Sequence, residues 1–329
     1  MEDYKKLFDS FSRLKVGVIG DVMLDTYMWG TVERISPEAP VPVVSLHKKD
    51  HRIGGAGNVA LNVQSLGATA FILSVIGRDE DGDRLEQLFA EKNIYTNYLL
   101  RSGGRITTNK TRVISRNQQM MRLDAEITRD LDHSDTVSLL DRVKVFIAQE
   151  KPDVIIFEDY NKGILTEKVI HDVITLCKRS GVMTAADPKR KNFFSYKGVT
   201  IFKPNLKEVK EGLNILIEDV DKESLQSIHN ELAAYLHHKV SFITLSDRGV
   251  FYQEDGKAEI IASHLRNVAD VSGAGDTVIA VASLVYAVTK NIHLVAEIAN
   301  IAGGLVCEEV GTVAIKKEKL LHECEMLLS

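Results

Sequence analysis

Toward the end of the chain, Asp270-Val271-Ser272-Gly273-Ala274-Gly275-Asp276-Thr277 leads into an apolar run that predicts a helix over about 277–288. Glycines ahead of a helix allow backbone angles that other residues avoid and leave no side chain in the way. The unbonded N–H groups of the first helical turn then face outward as an anion pocket. Such a pocket can stabilise a phosphoryl group in transit. Asp276 stands beside it, where a carboxylate could take the proton of an attacking hydroxyl. The helix N-terminus favours the charged carboxylate, so the base would be weak, which suffices if the proton leaves late. The same segment also reads as an aspartate that caps a helix after a glycine turn, and taken alone it does not separate the two. No Lys-Ser/Thr pair follows the glycines, which argues against an ordinary P-loop.

A second glycine cluster, Gly54-Gly55-Ala56-Gly57-Asn58, precedes Val59-Ala60-Leu61-Asn62-Val63. Close backbone approach and a polar Asn at a helix start suit a polyol ligand. A tight strand-to-helix turn is the other reading.

Both clusters need a frame to position them. Short β-rich runs alternate with helical stretches, which argues for an α/β fold with a largely parallel central sheet flanked by helices. Strands are expected at Val16–Gly20, Phe71–Ile76, Val154–Glu158, Val182–Ala186, Val199–Phe202 and Phe242–Leu245, with Val250–Gln253 as a hairpin partner. Helices are expected from about Asn58 to Leu66 and Gly82 to Lys92, and within Met1–Ser12. Val41–Leu46 and Lys110–Leu123 break the rhythm as consecutive strands, suggesting a small separate β-sheet lid drawn from about 22–50 and 105–125 on a single domain spanning 1–329. In open α/β sheets, ligands bind beyond the carboxyl ends of the strands, which singles out Asp21, Glu158, Asp159, Asn205 and Ser246.

The bulk numbers exclude some classes. Of 329 residues, 44% are hydrophobic, enough for a large core. A formal net charge of -5 gives no basic excess for nucleic-acid binding. No apolar stretch reaches membrane-span length and no signal peptide is evident, so a cytoplasmic protein is expected. Cys177, Cys307 and Cys324 fit no metal or disulfide spacing and are expected as buried or semi-buried thiols in a reducing compartment. The histidines show no paired metal spacing, and His237-His238 are expected at the surface.

Together the clusters resemble the two signatures of the ribokinase/PfkB carbohydrate kinases, the first over Gly54–Gly67 and the second over Asp270–Ala282. Asn205-Leu206-Lys207-Glu208 is similar to that family's N-x-x-E motif, and Gly20-Asp21 to its substrate-contacting Gly-Asp. Longer segments narrow the likeness: Gly20-Asp21-Val22-Met23-Leu24-Asp25, Arg34 to Val44, and Ser115-Arg116-Asn117-Gln118-Gln119 look like the kinase domain of bacterial heptose enzymes. The likeness runs in order from about residue 10 to 320. It implies a ribokinase-like fold and ATP-dependent phosphorylation of D-glycero-D-manno-heptose 7-phosphate at O1, on the way to ADP-heptose and lipopolysaccharide core. Many such kinases are fused to a nucleotidyltransferase; the chain ends at Ser329, so a separate protein is expected to supply that step. Ser272, where Thr is common, and Ala280-Val281 depart from the family pattern.

By resemblance, Asp276 is the base and the amides of Gly273, Ala274 and Gly275 form the anion hole. Asp21, Gly55 and Asn58 would hold sugar hydroxyls, with Asp21 as a plain strand-end turn residue the alternative. A phosphorylated sugar needs a cationic clamp; Lys110, Arg112, Arg116 and Arg122 are the lid candidates, since guanidinium binds phosphate bidentately. Asp159 could touch substrate, and Lys162 could neutralise transferred phosphate. Asn205, Glu208, Ser246, Gly249 and Asn300 are the nucleotide candidates, with Asn300 open to a helix-packing role. No direct metal ligand is expected; Mg²⁺ would be held by Glu208 through water, and the family's monovalent-cation requirement is inherited, not read from residues. A homodimer through the lid is expected. The competing readings are a related kinase acting on another sugar phosphate or nucleoside, and a non-catalytic sugar-binding sensor.

Overall fold

The computed structural model describes residues 3–116, 118–217 and 219–328. Met1, Glu2 and Asn117, which belong to segments named above, lie outside the described residues.

The main sheet has eight strands. In chain order they are β1 (Lys15–Gly20), β4 (Thr69–Leu73), β9 (Val154–Glu158), β10 (Met183–Asp187), β11 (Ile201–Phe202), β12 (Val240–Thr244), β13 (Val250–Glu254) and β14 (Lys257–Ile261). Their spatial order is β14-β13-β12-β11-β10-β9-β1-β4. All neighbours are parallel except for the antiparallel hairpin run β12-β13-β14.

Parallel strands buried on both faces need apolar residues at every position rather than at alternate ones, and β9 meets that demand. Val154 and Ile156 join the core on one face, and Ile155 and Phe157 the core on the other. The first face is covered by α1 (Tyr4–Ser10), α2 (Ala56–Ser65), α8 (Ala274–Thr289), α9 (Ile292–Val306) and α10 (Lys317–Leu327). The second is covered by α4 (His133–Glu150), α5 (Glu167–Ser180), α6 (Leu206–Leu213) and α7 (Lys222–Leu236). The period of two carries Glu158 onto the α2/α8 face. On β10, Met183 and Ala185 also face that side, so Asp187 follows them there; in the sheet register it sits directly beside Glu158.

Helix α8 is buried without interruption from Asp276 to Tyr286. A helix apolar all round belongs in the middle of a core, so its first turn, with Asp276, is fixed against the sheet rather than fraying at the surface.

A second sheet, ordered β3-β2-β7-β8, forms the lid from β2 (Val22–Ile35), β3 (Pro42–Gly55), β7 (Asn109–Ser115) and β8 (Gln118–Ala125). Strands β2 and β7 pair in parallel, the other neighbours antiparallel. Strand β3 runs straight into α2, so the first glycine cluster is the junction between lid and body. Tyr27 and Trp29 stack at 5.6 Å within the lid. The remaining elements are the parallel pair β5 (Val75–Gly77) and β6 (Leu100–Ser102), and α3 (Glu80–Glu91).

Three expectations need correction. The strand expected over Phe71–Ile76 breaks at Ser74, whose buried hydroxyl donates to the Gly20 carbonyl at 2.6 Å while its own carbonyl accepts from the Leu100 amide at 2.9 Å. The strand expected over Val199–Phe202 is reduced to two residues. His238 is buried against the Ser241 hydroxyl at 2.6 Å, and burial lowers its pKa to about 4. Cys177 and Cys324 are buried free thiols and Cys307 is half-buried. Among the described residues no helix is long and apolar enough to cross a membrane.

Candidate active site

The carboxyl ends of the parallel strands all open on one edge, and the polar residues gather there. Asp276 is nearly buried, 4% exposed, in the first turn of α8. Its Oδ2 accepts from Asn58 Nδ2 at 2.7 Å and its Oδ1 from the Tyr160 hydroxyl at 2.8 Å. The Asn58–Asp276 bond joins the two glycine clusters across 218 residues. Gly273 caps α8 in the left-handed region, φ +79, and a Cβ there would come within 2.8 Å of Asn58 Nδ2. Burial raises the pKa of Asp276, while the bonds from Asn58 and Tyr160 pull it back down. A buried base poised above the ordinary carboxylate range suits proton transfer near neutral pH.

Among the described residues the amides of Gly273, Gly275 and Asp276 make no backbone hydrogen bond, whereas Ala274 N–H, expected with Gly273 and Gly275 in the anion hole, donates to the Val271 carbonyl at 3.3 Å. Asp270 braces this turn, accepting from the Ser272 amide and hydroxyl at 2.9 and 2.8 Å and from the Gly311 amide at 2.9 Å.

Around Asp276 lies a charged cluster in which the expected Glu158 and Glu208 are joined by Asp187, Lys189 and Lys203, which the sequence did not single out. Asp187 pairs with the buried Lys203 at 2.7 Å and with Lys189 at 3.4 Å. Burial opposes ionisation of Asp187, but the two lysines win and hold its pKa below the usual value. Lys189 also reaches Glu208 Oε1 at 2.6 Å. Glu158 is fully buried, and neither of its carboxylate oxygens has a partner. Burial, reinforced by Asp187 and Asp276, pushes its pKa well above the ordinary value. The signal for Asp187 was present: like Glu158, it ends a strand whose preceding residues alternate between the two cores.

The remaining expected residues fall out as follows. Asp21, buried after β1, accepts from the amides of Tyr160 and Lys162 on Oδ2 at 2.8 and 3.1 Å, and from Ile164 on Oδ1 at 3.1 Å. It anchors the loop that carries Tyr160. Gly55 has φ +59, and a Cβ there would meet the Asp21 carbonyl at 2.3 Å. Asp159 accepts from Tyr196 O–H at 2.9 Å and from the Asn161 amide at 2.8 Å; burial, then the nearby Asp21, lifts its pKa to about 6. Asn205 and Glu208 form the N-terminal cap of α6. Ser246 and Gly249 form a tight turn after β12, Gly249 with φ +98 and no room for a Cβ beside the Ile261 carbonyl. Asn300 Nδ2 donates to the Ala262 carbonyl at 2.7 Å.

In the lid, Arg112 pairs with Asp25 at 2.5 Å, Arg122 pairs with Asp124 at 2.8 Å on the exposed strand β8, and Lys162 pairs with Glu126 at 2.7 Å. Arg116 is exposed where β7 ends. Lys110 is half-buried with no carboxylate within ion-pair distance; its Nζ lies 5.5 Å from the Tyr160 ring centre. Burial, followed by repulsion from Lys162, lowers its pKa.

Among the described residues no three His, Cys, Asp or Glu side chains are placed to hold a metal ion directly. The donor chemistry nonetheless fits a hydrated magnesium ion. Glu158, Asp187, Glu208 and Asp276 outnumber Lys189 and Lys203, and Glu158 has carboxylate oxygens to spare. Magnesium prefers oxygen donors and keeps much of its water.

A buried carboxylate at a glycine-rich helix start, on the open edge of a doubly covered sheet with a β lid, defines a phosphotransferase of the sugar-kinase class. The pfkB family carbohydrate kinase model matches residues 13–319, and the chain belongs to that family. It is 37% identical over 325 residues to the bifunctional protein HldE of Geotalea uraniireducens, covering 98% of this chain and 65% of that protein. It is 38% identical over 311 residues to HldE of Helicobacter hepaticus, covering 94% of this chain and 63% of that one. The chain thus spans just under two thirds of the length of these relatives. Among solved structures, phosphofructokinase-2 from Escherichia coli in complex with potassium matches with a TM-score of 0.80 at 15% identity, covering 96% of this chain and 99% of that one. Arabidopsis thaliana ribokinase complexed with ribose and ATP matches with a TM-score of 0.71 at 17% identity, covering 94% and 98%. At such identities these two establish the ribokinase-like fold alone.

Proposed function

We propose that this sugar kinase transfers the γ-phosphoryl group of ATP to O1 of D-glycero-D-manno-heptose 7-phosphate, giving the 1,7-bisphosphate and ADP for ADP-heptose synthesis. The observation that carries the phosphotransferase reading is the Asn58–Asp276 bond, which makes one site of the two signatures. The heptose reading rests on the resemblance of the Gly20–Asp25, Arg34–Val44 and Ser115–Gln119 segments, and the HldE likeness supports it.

In this reading the acceptor hydroxyl donates to Asp276, which takes its proton as the oxygen–phosphorus bond forms. The free amides of Gly273 and Gly275 meet the developing phosphoryl charge. Lys203 and Lys189 hold Asp187 ionised beside them. Magnesium, brought with ATP, would neutralise phosphate charge; Glu208 through water, with Glu158 and Asp187 nearby, would hold it. The sugar's own phosphate would find Lys110, a half-buried lid cation beside Tyr160 with no carboxylate partner among the described residues. Closure of the lid would exclude water and align the reactants. A cytoplasmic homodimer joined through the lid belongs to the same reading.

The test is a coupled ADP-release assay across sugar phosphates and unphosphorylated sugars, with Asp276→Asn alongside. The expected result is turnover with the heptose 7-phosphate, little with unphosphorylated sugars, and loss of turnover in Asp276→Asn with ATP and sugar binding retained. Near-normal turnover by Asp276→Asn would sink the base assignment. Preference for a nucleoside or another sugar phosphate would replace the substrate.

A further inference from the structure

Each oxygen of the Asp276 carboxylate accepts one hydrogen bond, Oδ2 from Asn58 and Oδ1 from Tyr160. The two donors differ in freedom. Asn58 is fully buried in the first turns of α2, packed beneath Gly273. Tyr160 is only partly buried, in the irregular loop between β9 and α5, followed by Asn161 at φ +55. Each oxygen keeps a second acceptor site, but at 4% exposure the carboxylate has little open approach, so an acceptor hydroxyl must move a covering group aside, and of the two donors Tyr160 alone lies outside a helix. A phenol O–H on a carboxylate is the same kind of donor as a sugar O–H.

We infer that Tyr160 is a placeholder for the acceptor hydroxyl, a specificity-determining residue that occupies Asp276 in the sugar-free enzyme and withdraws when a sugar hydroxyl arrives. The inference rests on the sugar-kinase reading and adds the means by which water is refused. A water beside Asp276 would attack the γ-phosphorus, its oxygen bonding to phosphorus as the bond to ADP breaks. Its proton would pass to Asp276, and the products would be ADP and inorganic phosphate. With the Tyr160 hydroxyl covering Oδ1, that water is kept from the base. The ring is held ready by the ammonium groups of Lys110 and Lys189, 5.5 and 5.7 Å from its centre. These contacts do not need the hydroxyl, so Tyr160→Phe keeps the ring and vacates only the base.

The experiment compares sugar-free, Mg-dependent ATP hydrolysis by the wild type and Tyr160→Phe. A rise of roughly tenfold or more in the variant is expected, because a base that water can reach supplies a general-base contribution. Equal or slower hydrolysis overturns the inference. A second readout uses protein labelled with 3-fluorotyrosine, the Tyr160 ¹⁹F line being assigned by its loss in Tyr160→Phe. Saturating sugar phosphate without nucleotide should shift that line. A line that stays still under conditions where the wild type turns over also overturns the inference and leaves the kinase reading standing. If the wild type turns over no sugar phosphate, the kinase reading fails, and the hydrolysis comparison still decides what Tyr160 does.

Discussion

Asn205 and Glu208 complete each other's hydrogen bonding: the Asn205 side chain accepts from the Glu208 amide, and Glu208 Oε2 accepts from the Asn205 amide, each at 2.8 Å. This is a capping box that starts α6. The other oxygen of Glu208 holds Lys189 at 2.6 Å. The N-x-x-E spacing therefore has a structural role independent of any nucleotide, and it also fixes a carboxylate next to the charged cluster.

The two roles can be separated. Asn205→Ala removes a cap and should cost about 1 kcal/mol in urea unfolding. Glu208→Gln keeps an acceptor for the Asn205 amide but loses the charge that pairs with Lys189. Because that pair is largely buried, stability should fall too, while turnover falls about tenfold or more and demands higher magnesium. An unchanged dependence of turnover on magnesium would leave Glu208 as a helix cap alone.

Asp159 gives a pH prediction with a definite sign. Its folded pKa of about 6 lies above the ordinary 3.8, so between those values the native state binds more protons than the unfolded state. Stability from this group is full below about pH 4 and is lost as pH rises through 6. The loss totals about 3 kcal/mol if the whole shift is realised. Asp159→Asn cannot ionise, so its stability relative to the wild type should improve between pH 4 and pH 7 in urea titrations. A difference that stays flat over that range would mean that Asp159 ionises normally in the folded protein.

Much of this site was legible in the sequence, because glycines and strand periodicity leave local marks. Gly273 and Gly55 stand where positive φ and close packing leave no room for a side chain. The alternating burial of β9 and β10 follows from continuous apolar runs. Tyr160 and Lys203 left no such mark. Lys203 sits in the short linker after a two-residue strand, and its burial comes from a partner, Asp187, 16 residues earlier. Tyr160 meets Asp276 across 116 residues. Contacts of that range are set by how the sheet is wound, and no spacing within a segment reports them. The lid cations were recognisable by type, yet Lys110, which the register sets opposite Asp124, makes no ion pair among the described residues, while Arg122 two residues back along that strand takes Asp124.

Their surroundings separate Lys110 from Arg122. Arg122 is neutralised locally by Asp124 on an exposed strand, whereas Lys110 is half-buried and faces Tyr160. Lys110→Gln should raise KM for a sugar phosphate roughly tenfold or more, by loss of a charge-assisted bond. Arg122→Gln should change it less than about threefold. The reverse order in steady-state kinetics would move the phosphate clamp to the outer face of the lid.

Asp21 is the residue for which substrate binding and architecture compete most directly. In the substrate-free fold its carboxylate collects three amides, those of Tyr160, Lys162 and Ile164, and so sets the path of the loop that delivers the Tyr160 hydroxyl to Asp276. Burial raises its pKa despite those three bonds, so desolvation outweighs them. Asparagine at this position has one acceptor oxygen and an NH₂ group that would face an amide donor. At least one buried N–H would then go unpaired, at about 1–3 kcal/mol. Asp21→Asn should therefore lower unfolding stability by that amount and speed amide hydrogen exchange at 160–164 selectively. Because a loosened loop no longer holds the phenol on the base, sugar-free ATP hydrolysis should rise as it does in Tyr160→Phe, and the two substitutions combined should add little to either alone. If Asp21→Asn raises KM for the sugar while stability and loop exchange stay at wild-type values, Asp21 acts on the substrate, and the loop is held by something else.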